Sequence, residues 1–113
     1  IDEDDLFALL GGAGDSLFDA VRASGADVYV TADLRHHPAL EAREEARDGT
    51  PYLVDAGHWA TEWLWLEEML ERVVGALAAA GHDVVGLDTH VSTICTDPWS
   101  FTVGARPLQG DPQ

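Results

Sequence analysis

The 113-residue chain is 46% hydrophobic and 24% charged, the make-up of one folded domain able to bury a core without disulfides or a structural metal. Asp and Glu number 21 against six basic residues, all of them arginine, and the formal charge of −15 disfavours nucleic acid and anionic membrane surfaces while attracting divalent cations. Cys95 is the single cysteine, which excludes an intrachain disulfide and points to a reducing, cytoplasmic setting.

The chain opens on Ile1-Asp2-Glu3-Asp4-Asp5, the wrong charge for a signal peptide, and an initial Ile in place of Met is expected of a processed or partial product. Residues 6–10 form an apolar run expected as a buried strand, ending in Gly11-Gly12-Ala13-Gly14. Those glycines read as a tight turn, with Ser16 capping a helix that runs to about Ala23 and stops at Gly25. The turn also sits where backbone amides could cradle a phosphate, but it lacks the full GxGxxG spacing and a lysine, and Asp15 would repel the anion.

Val28-Tyr29-Val30 is a second strand, and Pro38 suits the first turn of a polar helix that ends near Asp48-Gly49. Tyr52-Leu53-Val54 is a third strand. After Gly57, the apolar positions Trp59, Trp63, Leu66, Leu70, Val73 and Leu77 recur every three or four residues, predicting one long amphipathic helix up to Gly81. Residues 87–95, with Thr89, Val91, Thr93 and Ile94, are expected as a last strand at a sheet edge. The whole reads as an α/β domain over residues 1–101, three-layered, with a mostly parallel sheet carrying helices on its faces; residues 102–113 read as a turn-rich, poorly ordered tail.

In such sheets functional groups gather beyond the carboxyl ends of the strands. The turns after the second and third strands carry Asp33, His36, His37, Asp55, His58 and Glu62. His58 and Glu62 are the sharpest pair, because residues four apart on a helix share a face and could present an imidazole and a carboxylate to one divalent ion. The plainer reading has His58 capping the helix and Glu62 favouring the positive end of its dipole. Asp33 either orients a ligand histidine or closes its own turn. Adjacent His36 and His37 point apart, so at most one faces any given ion. Trp59 and Trp63 lie on the apolar stripe and are expected in the core, whereas Trp65 lies off it and suggests a contact surface. Ser16, Ser92 and Cys95 lack any recognisable base for nucleophilic catalysis.

A wider pattern joins these pieces: Gly11-Gly12-Ala13-Gly14-Asp15-Ser16, Thr31-Ala32-Asp33-Leu34-Arg35-His36-His37, Asp55-Ala56-Gly57-His58-Trp59-Ala60-Thr61-Glu62, Val91-Ser92 and Thr96-Asp97-Pro98. In that order and spacing it resembles the C-terminal half of the NGG-interacting-factor-like family, whose members carry the name type 2 GTP cyclohydrolase I. The resemblance spans nearly the whole chain. It implies a partial version of a two-domain α/β fold with a dinuclear metal centre, assembled as toroidal hexamers. By position it assigns metal ligation to His58 and Glu62, while Asp33 and His37 line or support the cleft and the remaining ligands come from an N-terminal half. His36 stands where the family often has an aromatic, and Ala32 replaces a usual glycine. The implied cofactor is a pair of divalent ions, with Zn, Fe, Mn and Mg equally compatible, and the implied substrate a small molecule. Two other readings stay open: an interaction or oligomerisation module with vestigial metal residues, and a flavodoxin-like ligand binder built on the Gly11 to Ser16 turn.

Overall fold

The computed structural model describes residues 2–104. Three strands, β1 (Phe7–Ala13), β2 (Val28–Ala32) and β3 (Tyr52–Asp55), form a parallel sheet in the order β1-β2-β3. Between them run α1 (Phe18–Ser24), entered through a short 3-10 turn at Asp15–Leu17, and α2 (His36–Glu44). α3 (His58–Trp63) and α4 (Leu66–Ala79) follow β3. This is the parallel α/β arrangement that the alternation of β-branched runs and helical periods predicts.

The core lies where α1 and α2 meet the middle strand. Phe18 and Val21 of α1, Ala42 of α2 and Tyr29 of β2 are buried together, with Ala8, Leu10, Leu34 and Leu53 packed against them. The Phe18 and Tyr29 rings meet edge to face, with centroids 5.7 Å apart, a pairing worth about 1 kcal/mol beyond the area it buries. Tyr29 is wholly buried, and its hydroxyl donates to the Gly14 carbonyl at 2.8 Å, so the phenol is satisfied while it fixes the glycine loop to the sheet.

Four features differ from the sequence-based expectation. The glycines after residue 10 do not leave the sheet: β1 continues to Ala13, and its register against β2 slips between Leu9 and Ala13. Gly12, at φ 75°, sits in that bulge, a conformation open to glycine and strained for other residues. Ser16 lies inside the 3-10 turn and caps nothing; Asp15 beside it accepts instead from the Arg35 side chain at 2.6 Å. The long helix is broken at Leu64 and Trp65, where the Trp65 amide reaches back only three residues to the Glu62 carbonyl. Residues 87–95 form no strand, because they pair with neither sheet edge and cross to α3 instead, where the Trp63 indole N–H donates to the Ser92 carbonyl at 2.7 Å. Of the expected tail, residues 105–113 lie outside the described residues.

Candidate metal-binding site

The carboxyl ends of β1 and β2 meet α3 at one rim, and the meeting is built from backbone. The bulge turns the Gly12 amide away from the sheet and toward α3, where it donates to Thr61 Oγ1 at 3.0 Å; the Gly12 carbonyl accepts from the buried Thr31 hydroxyl at 2.9 Å. Thr61 in turn donates to the His58 carbonyl at 2.9 Å. α3 is thereby laid across the strand end with its His58 and Glu62 face against Gly12. A Cβ at Gly12 would collide with Glu62 Oε1 and stand 3.3 Å from His58 Nε2. A side chain at Gly12 would push the Glu62 carboxylate off its contact with His58, and the positive φ by itself favours glycine there.

His58 lies between two carboxylates. Its Nδ1 meets Asp33 Oδ2 at 2.5 Å, and its Nε2 meets Glu62 Oε1 at 3.0 Å. Asp33 holds its position at the end of β2 with φ 51°, so the carboxylate reaches sideways to α3 in place of closing its own turn. The hydrogen bond that the ring donates to Asp33 raises the His58 pKa above the ordinary histidine value; partial desolvation opposes this, and the charges of Glu62 and Asp33 reinforce it.

That geometry defines the chemistry. With Asp33 accepting the Nδ1 proton, a neutral imidazole presents the Nε2 lone pair to Glu62, and two acceptors face each other across 3.0 Å. Such a gap favours a positive occupant, either a proton on Nε2 or a cation between the two groups. Imidazole and carboxylate with a second carboxylate behind the ring is a donor set suited to a divalent metal. It is two donors only: among the described residues no group of three or more His, Cys, Asp or Glu side chains is arranged to hold a metal ion. The residues fit a share of a metal centre and do not enclose one.

The pair opens on a cleft of about 890 Å³, walled by Trp59, Trp63, Trp65 and Trp99 together with Asp97. Trp59 and Trp63 stack on each other at 5.4 Å in that wall, half-buried, and do not enter the core as their place on the stripe predicts. Trp65 is exposed, carried to the cleft by the break before α4.

The remaining sequence candidates are placed elsewhere. His37 begins α2 beside His36, the rings 5.3 Å apart, exposed and not among the cleft-lining residues. The two residues after Asp33 are tied to other loops: the Leu34 amide donates to Asp55 Oδ2 and the Arg35 amide to Asp15 Oδ1. Asp55 is thus a turn-former; its other oxygen accepts from the Gly57 amide at 3.3 Å. Sequence reasoning assigned no role to Asp97 or Thr61. Both act through backbone groups of α3, and the only signal for Asp97 is its place in the Thr96-Asp97-Pro98 segment.

Residues 5–98 match the sequence model of the Duf34/NIF3 (NGG1p interacting factor 3) family. The chain belongs to this family. Among its relatives, a GTP cyclohydrolase 1 type 2 homolog of Streptomyces coelicolor is 48% identical over 100 residues, which are 88% of this chain and 33% of the relative. A homolog of the same name from Mycobacterium bovis is 44% identical over 94 residues, 83% of this chain and 22% of the relative. In three dimensions, a Bacillus cereus protein related to NIF3 superposes with a TM-score of 0.66 at 29% identity, covering 85% of this chain and 24% of that protein. The chain therefore spans between a fifth and a third of the length of these Duf34/NIF3 relatives. The family likeness read from the sequence is confirmed. No helix among the described residues is long and apolar enough to cross a membrane.

Proposed function

We propose that this chain is the C-terminal portion of a divalent-metal-dependent, cyclohydrolase-like hydrolase and contributes His58 and Glu62 as metal ligands. The observation that carries the reading is the 3.0 Å approach of His58 Nε2 to Glu62 Oε1, with Nδ1 engaged by Asp33. Asp33 fixes the tautomer that leaves Nε2 free to ligate, and Gly12 keeps the strand end from crowding the pair. A bound divalent ion supplies Lewis-acid activation of water or of a substrate oxygen, chemistry suited to attack on a purine ring carbon or a phosphoester. Imidazole with carboxylate accommodates Zn, Fe, Mn or Mg, and further ligands come from polypeptide that the longer relatives carry beyond the matched span.

The test is calorimetric titration of Zn²⁺ into the chain alone and into its mixture with the portion of the Streptomyces coelicolor relative outside the matched span. The mixture is expected to bind tightly and the chain alone weakly, with the gain abolished by His58→Ala. Equal binding in all three samples refutes the reading.

A second reading, an interaction module that does not depend on metal, is favoured by one observation: α4 buries none of its residues despite its apolar stripe. Under that reading complex formation with the same portion of the relative is indifferent to a chelator and to Glu62→Gln, whereas the metal reading predicts that both weaken it.

A further inference from the structure

α3 does not hold itself in place. Six residues are far fewer than a helix needs to persist alone, and its N-cap is Gly57, which has no side chain to offer. The first amides of α3 must therefore find acceptors elsewhere. They find Asp97: the Trp59 amide donates to Oδ1 at 2.9 Å and the Ala60 amide to Oδ2 at 3.3 Å. One carboxylate, 37 and 38 residues along the chain, thus performs the task of an N-cap, and its charge lies at the positive end of the helix. Gly57 at φ 89° makes the approach possible, since a Cβ there would lie 2.7 Å from Asp97 Oδ2. The bond from Trp63 to the Ser92 carbonyl ties the same irregular segment to the far end of α3.

We infer that Asp97 is the positioning residue of the His58 and Glu62 pair, holding α3 in the helical geometry that sets the two side chains against each other. The inference rests on the metal reading above and deepens it. The approach of His58 to Glu62 requires every residue between them to be helical, and the two amides that Asp97 binds belong to the first two of those residues. Asp97 acts through the backbone, as an outer partner that orients ligands.

The experiment uses the 113-residue chain mixed with the portion of the Streptomyces coelicolor relative outside the matched span for Zn²⁺ calorimetry and the visible absorption of Co²⁺ at saturation, and the chain alone, without metal, for hydrogen exchange at the Trp59 and Ala60 amides. Asp97→Ala is expected to weaken Zn²⁺ about 10-fold and to speed exchange at both amides, while the Co²⁺ bands at saturation stay at their wild-type positions because the ligands are unchanged. Asp97→Asn keeps one acceptor oxygen, so its affinity is expected to fall between the two; this variant carries the test should Asp97→Ala not fold. Zn²⁺ affinity lost in His58→Ala but kept in both Asp97 variants overturns this inference alone. Affinity equal in wild type and His58→Ala overturns the metal reading, and this inference with it.

Discussion

His58 shows how much of a site can be carried by one side chain. The spacing of His58 and Glu62 is legible in the sequence because a helix puts residues four apart on one face. The engagement of Nδ1 by Asp33 is legible only as one of two readings of a strand-end carboxylate, since 25 residues with a helix and a strand separate the two and nothing local chooses the histidine over the residue's own turn. That contact sets the pH response. The protonated ring is favoured between Asp33 and Glu62, so the folded pKa lies above the unfolded value near 6.5. The resulting stabilisation is fully present below the unfolded value and is lost as pH rises through the raised folded one. Metal ligation needs the neutral ring and runs the opposite way, with Zn²⁺ affinity increasing across the same window. NMR titration of the His58 imidazole is expected to show a pKa above 6.5 in the wild type and a lower one in Asp33→Asn. A midpoint unmoved by that substitution would remove Asp33 from its assigned place.

At the scale of elements, the parallel strands were legible because short β-branched runs alternate with helical periods, and each turn is marked by Gly, Asp or Pro. The bulge in β1 was not. A glycine pair after an apolar run predicts a turn equally well, and only the packing of α3 on the strand end selects the bulge. The break at Leu64 and Trp65 has no Gly or Pro to announce it, and the segment 87–95 has strand-forming residues yet pairs with neither edge of the sheet and is tied to α3 instead. Two glycines separate backbone strain from packing. Both Gly12 and Gly25 have positive φ, but Gly25 has nothing within 4 Å of its would-be Cβ, whereas Gly12 has the Glu62 carboxylate and the His58 ring. Gly25→Ala is expected to cost about 1 kcal/mol through the backbone alone. Gly12→Ala is expected to cost a similar amount through its backbone, about 1 kcal/mol, and in addition to push the Glu62 carboxylate aside, weakening Zn²⁺ binding, which Gly25→Ala leaves intact. Urea denaturation and metal titration of the two variants check this, and equal effects on metal binding would show that Gly12 is not a wall of the site.

Over the whole molecule, the apolar pattern exceeds what the described residues cover. The Cα radius of gyration is 18.7 Å, against about 13 Å for a compact domain of this length. Leu66, Met69, Leu70 and Val73 of α4 line an apolar groove with His90, Val91 and Ser92 of the irregular segment, which leaves the helix unburied, and Leu9 on the sheet is 74% exposed. The 3.6-residue period of α4 correctly gives a helix, yet periodicity states only that a face is to be buried, not what buries it. The relatives indicate the occupant: with this chain spanning a third or less of their length, the polypeptide they carry beyond the matched span is what this face is expected to receive. Leu70→Asp and Val73→Asp place charges in the groove without opening a core, since no residue of α4 is fully buried, so the stability of the chain itself is expected to fall by no more than about 1 kcal/mol. Binding to the portion of the Streptomyces coelicolor relative outside the matched span, followed by sedimentation, is expected to weaken at least about 10-fold, the result of desolvating an unpaired charge in an apolar contact. If instead the wild-type chain self-associates and both substitutions return it to a monomer, the face belongs to a second copy, and the assembly is homo-oligomeric through α4.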